Sequence, residues 1–155
     1  MRIILAAAAA ALLAMPVARA QPAPGYGPNV TLDAARKVVE AGIASAQQRN
    51  LQMAVAVVDT AGNLVAFARV DGTQTASLQV ALDKAKSAAT YRRPTKAFED
   101  ALVGGRMAIL ALPGAMPVEG GLLLTAENRI IGAVGVSGGT SAEDGQVAAA
   151  AIAGR

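Results

Sequence analysis

An α+β domain with a largely antiparallel sheet is the fold class this sequence predicts, and three observations carry it. Two segments, Leu32 to Ala46 and Leu78 to Ala89, repeat their apolar residues at helical spacing. Two pairs of short apolar runs are joined by tight polar turns, which is the pattern of β-hairpins. The segments follow one another as α-β-β-α-α-β-β-β-α, so strands are paired by turns and not by crossover helices.

The chain has 155 residues, and its beginning reads as a separate unit. Met1-Arg2 is a short basic start, Ile3 to Val17 is uncharged, and Ala18-Arg19-Ala20 fits the small-x-small rule for cleavage. A spanning helix needs about 20 apolar residues, and Pro16 breaks this run early. Residues 1–20 are therefore expected to be a cleaved signal peptide, which implies a periplasmic or secreted protein. Residues 21–30, rich in proline and glycine, are expected as a flexible leader, and residues 31–155 as one domain.

Thr31 is placed to cap the first helix, with Asp33 in its first turn, and Leu32, Ala35, Val38, Val39, Ile43 and Ala46 form its apolar face up to about Asn50. Met53 to Asp59 and Leu64 to Val70 flank the turn Thr60 to Asn63 and predict the first hairpin, closed by Asp71-Gly72. From about Ser77, Leu78, Ala81, Leu82, Ala85, Ala88 and Ala89 give a second helix a narrow alanine face, with Asp83, Lys84 and Lys86 off it. Pro94 ends that helix. Thr95 is expected to cap a third, through Leu102, with Phe98 pointing inward and Gly104-Gly105 breaking it. Ala108 to Leu112 is expected as a short strand before the Pro113-Gly114 turn. Leu122 to Thr125 and Ile130 to Ser137 form the second hairpin, and Thr140 with Glu143 open the last helix, Ala142 to Ala153, as a capping box.

Composition excludes much chemistry. Without cysteine there is no disulfide and no iron–sulfur cluster, and without histidine no Ser-His-Asp triad and no imidazole ligand. Loss of Arg2 and Arg19 with the signal takes 14 basic residues to 12, against 11 acidic, a net charge of +1. No long basic run or aromatic platform points to nucleic acid. The alanine-rich, aromatic-poor composition makes a thin core and points to subunit association.

Four features can carry chemistry, each with a plainer reading beside it. Val136 to Thr140 and Pro117 to Gly121 are glycine-rich links able to hold an anion, or simply tight turns requiring positive φ. Lys84, Lys86, Arg92, Arg93, Lys96 and Arg106 form the densest cationic stretch, a clamp for carboxylates or a solvated helix face. Asp59, Asp71 and Asp144 can act as acid, base or cation ligands, or as turn acceptors and a charge in a first helical turn. Met53, Met107 and Met116 read better as core filler than as metal ligands.

Ala54-Val-Ala-Val-Val-Asp59, Gly62-Asn-Leu-Val65, Arg69-Val-Asp-Gly72, Ser77, Ala81, Lys84-Ala85, Arg93-Pro-Thr95 and Ile131-Gly-Ala-Val-Gly-Val-Ser-Gly-Gly139, with Asp144 beyond, resemble the GlcG/HbpS-like heme-binding family. The resemblance runs from about Leu32 to the C-terminus. It implies a profilin-like α+β fold whose five-stranded, largely antiparallel sheet is flanked by helices. It also implies homo-oligomers, often octamers, and a binding function. On that resemblance Thr95 lies near heme iron, Arg93 and Lys96 serve the propionates, and Lys84 holds a family lysine position. The chain departs from many members in having no histidine, which leaves Thr95, Tyr91, Met107, a lysine or water as weaker axial donors.

The expected function is thus an exported oligomeric binding protein for heme or a related anionic tetrapyrrole, without histidine ligation. Expected partners are heme or another anionic small molecule and further copies of the chain, with no nucleic acid and no membrane after signal cleavage. Two alternatives stand beside it: a ligand-free scaffold partnering a sensor or enzyme, and an enzyme acting on a hydroxy acid through Asp59, Lys84 or Asp144.

Overall fold

The computed structural model describes residues 23–154, so the expected signal segment lies outside the described residues. The elements are α1 (Leu32–Gln48), β1 (Ala54–Val58), β2 (Leu64–Arg69), α2 (Thr75–Tyr91), α3 (Lys96–Val103), a 3-10 helix (Met107–Ala111), β3 (Gly121–Ala126), β4 (Arg129–Ser137) and α4 (Ser141–Ala153). The four strands form an open sheet in the order β2-β1-β4-β3, with every pairing antiparallel.

This corrects the expectation of five strands. The segment Ala108 to Leu112 belongs to a 3-10 helix and not to the sheet. Its run, Met-Ala-Ile-Leu-Ala, has one β-branched residue, and it is boxed between the positive-φ Gly105 and Pro113. No strand of the sheet pairs with it, so a single tight turn forms instead.

Both faces of the sheet are covered, and the two faces differ. Val55 and Val57 of β1, Leu124 of β3, and Val134 and Val136 of β4 pack beneath α1 and α4, against Val38, Val39, Val147 and Ala148. On the other face Ala54, Ala56, Val58 and Ala133 meet the alanines of α2, Ala81, Ala85, Ala88 and Ala89, with Leu82 packed alongside. Gly121 and Gly135 are partners in the β3–β4 register and lie side by side beneath that helix. A Cβ on Gly135 would collide with the Ala81 carbonyl and the Ala85 amide, and one on Gly121 with the Lys84 carbonyl. Small residues on both surfaces thus let the helix backbone rest directly on the sheet.

Residues 25–30, expected as a flexible leader, are bonded to β4. Tyr26 bridges Ile130, Gly27 and Val30 donate to the carbonyls of Ile130 and Ile131, and the Ile130 amide donates to the Gly25 carbonyl. The pairing of β4 with β1 ends at Ala133, so residues 129–132 leave backbone groups open there, and the leader occupies them. The Tyr26 hydroxyl then donates to the Ala89 carbonyl at 2.8 Å, tying the segment to α2.

Candidate functional site

The residues singled out in the sequence fall into two places. Lys84, expected off the buried stripe of α2, is inside: it is 1% exposed, between Ala81 and Ala88 on the sheet-facing side. Its ammonium donates to Asp144 Oδ2 at 2.6 Å and to the Val136 carbonyl at 3.1 Å. Asp144 accepts from the Gly139 amide at 3.0 Å through its other oxygen. The strand-to-helix link therefore gives an amide to Asp144, while Gly138 adopts φ 147 and Gly120 φ 127, as a pair of tight turns requires. Desolvation by burial pushes the Asp144 carboxyl above its ordinary value of 3.8, against the pull of the Lys84 ammonium and the Gly139 amide. This buried pair joins α2 to α4 and is closed to solvent.

The second place is the corner where α2 passes into α3. Arg92 closes α2 in the left-handed conformation, φ 53, and its guanidinium lies over the Tyr26 ring. Arg93 is exposed, lies over Phe98 and donates from Nε to the Tyr91 carbonyl. Tyr91 sets its ring edge against Phe98, 5.1 Å between centroids, and its hydroxyl donates to the Pro113 carbonyl at 2.7 Å. Lys96 is exposed and paired with Asp100 at 2.6 Å.

Thr95 sits beneath this corner, fully buried, at the expected cap position of α3. Its backbone is helical, and its hydroxyl makes no capping bond. Instead it accepts from the Gly121 amide at 2.9 Å, and the Thr95 amide donates to the Gly121 carbonyl. Those two bonds fasten the corner to the start of β3, which is what draws the hydroxyl away from the cap position.

Beyond the corner runs an arm whose apolar residues face outward. Val103 is 84% exposed, Met107 62% and Leu110 60%, while Phe98 and Ile109 are the buried side chains of α3 and the 3-10 helix. Met107 is therefore not core filler, whereas Met53 is fully buried. Met107 and Leu110 stand three apart, so the 3-10 turn stacks them on one side. Arg106 precedes them. Asp59 is a turn acceptor, taking the amides of Ala61 and Asn63.

Sequence reasoning missed two things here. One is the union of Lys84 with Asp144; its signal was the position of Lys84 three residues after Ala81 and four before Ala88, which places it along the apolar stripe. The other is the outward arm, whose signal was the surplus of large apolar residues around the double glycine.

Among the described residues no helix is long and apolar enough to cross a membrane, and no group of histidine, cysteine or carboxylate residues is arranged to hold a metal ion.

With the geometry set out, comparison with known proteins is direct. GlcG of Escherichia coli (strain K12) is 40% identical over 103 residues, covering 66% of this chain and 77% of GlcG. A double mutant of Streptomyces reticuli HbpS superposes with a TM-score of 0.76 at 30% identity, covering 90% of this chain and 96% of that one. The crystal structure of a PduOC:heme complex shares the fold, with a TM-score of 0.74 at 24% identity, covering 82% and 95%. The family model described as "Haem degrading protein HbpS-like" matches residues 30–153. The chain belongs to the HbpS-like family.

Proposed function

We propose that this protein is an exported, oligomeric binder of heme or a closely related anionic tetrapyrrole, held on the α2–α3 corner and its arm. Family membership supports the ligand class, and PduOC was crystallised with heme. The observation that carries the reading is the pairing, on one stretch of chain, of exposed cations with exposed large apolar residues. Arg93, Lys96 and Arg106 suit two carboxylates, and Val103, Met107 and Leu110 suit the face of a macrocycle.

The fit is that of a surface and not of a pocket. One cavity, of about 400 Å³, lies between α1 and β2, away from these residues, and another, of about 190 Å³, is lined by Lys86 and Met116. A flat ligand on the arm is therefore covered only when a second subunit closes over it, which ties binding to assembly. Met107 is the exposed donor to iron on this arm. Thr95, with its hydroxyl given to Gly121, acts by fixing the corner. Heme supplies an iron centre when bound; the chain supplies the carboxylate partners, the apolar face and one soft ligand.

Binding is preferred to turnover because the buried Lys84–Asp144 pair is satisfied by hydrogen bonds and closed to any substrate. Hemin titration followed at the Soret band tests the reading. Saturable, stoichiometric binding is expected, weakened about tenfold by Arg93→Ala with Lys96→Ala, and a displaced Soret maximum in Met107→Ala. Non-saturating absorbance would remove heme as the ligand. Steady bleaching of bound hemin under peroxide would favour the degrading activity in the family's description.

A further inference from the structure

We propose that the outer edge of β2 and the groove beside it are the surface on which two copies of this chain pair about a two-fold axis. The inference deepens the oligomeric reading above, and rests on it, by naming the contact.

The edge carries no bond to another element, whereas the start of the opposite edge does. Val70 donates to the Met53 carbonyl, and the β1–β2 register continues from that pair through Arg69 and Ala68 to Phe67. Alternation along an antiparallel ladder then turns the amide and carbonyl of Arg69 and Phe67 away from β1. No bond to those outward groups is made by any other element among the described residues. At the other edge, Gly121 of β3 exchanges two bonds with Thr95. An edge with free donors and acceptors at Phe67 and Arg69 is a template for another strand, and an identical strand run antiparallel can satisfy both.

The groove points to a second copy and not to an unrelated strand. It holds about 400 Å³ between α1 and β2, and it is lined by Leu32, Arg36 and Glu40 on one side and Ala66 and Phe67 on the other. Leu32, Arg36 and Glu40 recur every four residues, so they form one exposed stripe along α1. Leu32 is a large apolar side chain left exposed on that stripe, and Phe67, whose side chain alternates to the α2 side of the sheet, is exposed along the same edge. Arg36 and Glu40 make no ion pair with any described residue. An axis normal to the sheet near Phe67 lays the two α1 helices side by side and antiparallel. Arg36 then faces Glu40 of the second copy, and Glu40 faces its Arg36. One positive and one negative residue on the same stripe is a self-complementary pattern, as an isologous contact requires. The result is one continuous eight-stranded sheet.

Light scattering on the full chain tests this with four variants. Arg36→Glu and Glu40→Arg each set like charges against each other, and each is expected to halve the assembly mass or raise the dissociation constant about tenfold. The double swap restores the pairing and is expected to recover the wild-type mass. Phe67→Pro removes an outward donor while leaving the ladder to β1 intact, and is expected to dissociate the pair with a near-native circular dichroism spectrum. Single variants of unchanged mass, or a double swap that fails to recover it, would overturn this contact while the oligomeric reading stands. A monomeric wild type would overturn both.

Discussion

Lys84 and Asp144 show how far one residue's surroundings decide its role. A lysine among alanines on a helix reads as a solvated charge, yet here the sheet-facing side includes it, and a carboxylate at the start of α4 meets it. Removing one partner strands the other: Asp144→Ala is expected to cost about 3–5 kcal/mol in chemical denaturation, whereas Lys84→Met with Asp144→Leu is expected to be close to neutral. The pH dependence follows from the raised Asp144 carboxyl. Its folded state keeps a proton to higher pH than an unfolded aspartate near 3.8, so the folded state binds more protons in that interval. The stability from this group is full below 3.8 and falls as pH rises through the folded value, and Asp144→Asn is expected to flatten that slope in melts between pH 3 and 6. None of this was legible residue by residue, because it depends on which segment α4 is laid against.

At the scale of elements, local signals mostly sufficed. The Thr31 cap, both hairpin turns and the Thr140–Glu143 capping box stand where their residue chemistry puts them. In the second hairpin, Glu127 and Asn128 both take positive φ, as a two-residue turn between twisted strands demands. Local reading failed between Gly104 and Pro113, where an apolar run with a single β-branched residue is equally compatible with strand and with 3-10 turn, and only the lack of a sheet partner decides. It also failed to see that Gly135 answers to α2. Gly135→Ala presses a methyl into helix backbone that cannot yield as a side chain would, and a loss of about 2–4 kcal/mol is expected, read as a lower urea midpoint. Ala76→Gly, at the exposed alanine of the same helix, loses only the propensity difference, about 1 kcal/mol or less.

For the whole molecule, the fold class was legible in periodicity and the family was legible only through its motifs. Three surfaces organise the molecule: the buried sheet faces, the cationic corner with its apolar arm, and the bare edge of β2. The first follows from periodicity, but the other two exist only once the strands are ordered, since β2 is an edge solely because β1 pairs on its far side with β4. The bonded leader adds a practical opening. Gly25 is exposed with nothing near its Cβ direction, its neighbour Tyr26 touches Ala89 and Arg92, and the chain has no cysteine of its own. A dye on Gly25→Cys would thus be a unique label moored beside the cationic corner. Energy transfer from it to a light-absorbing ligand would then act as a ruler, reporting where on the subunit that ligand settles.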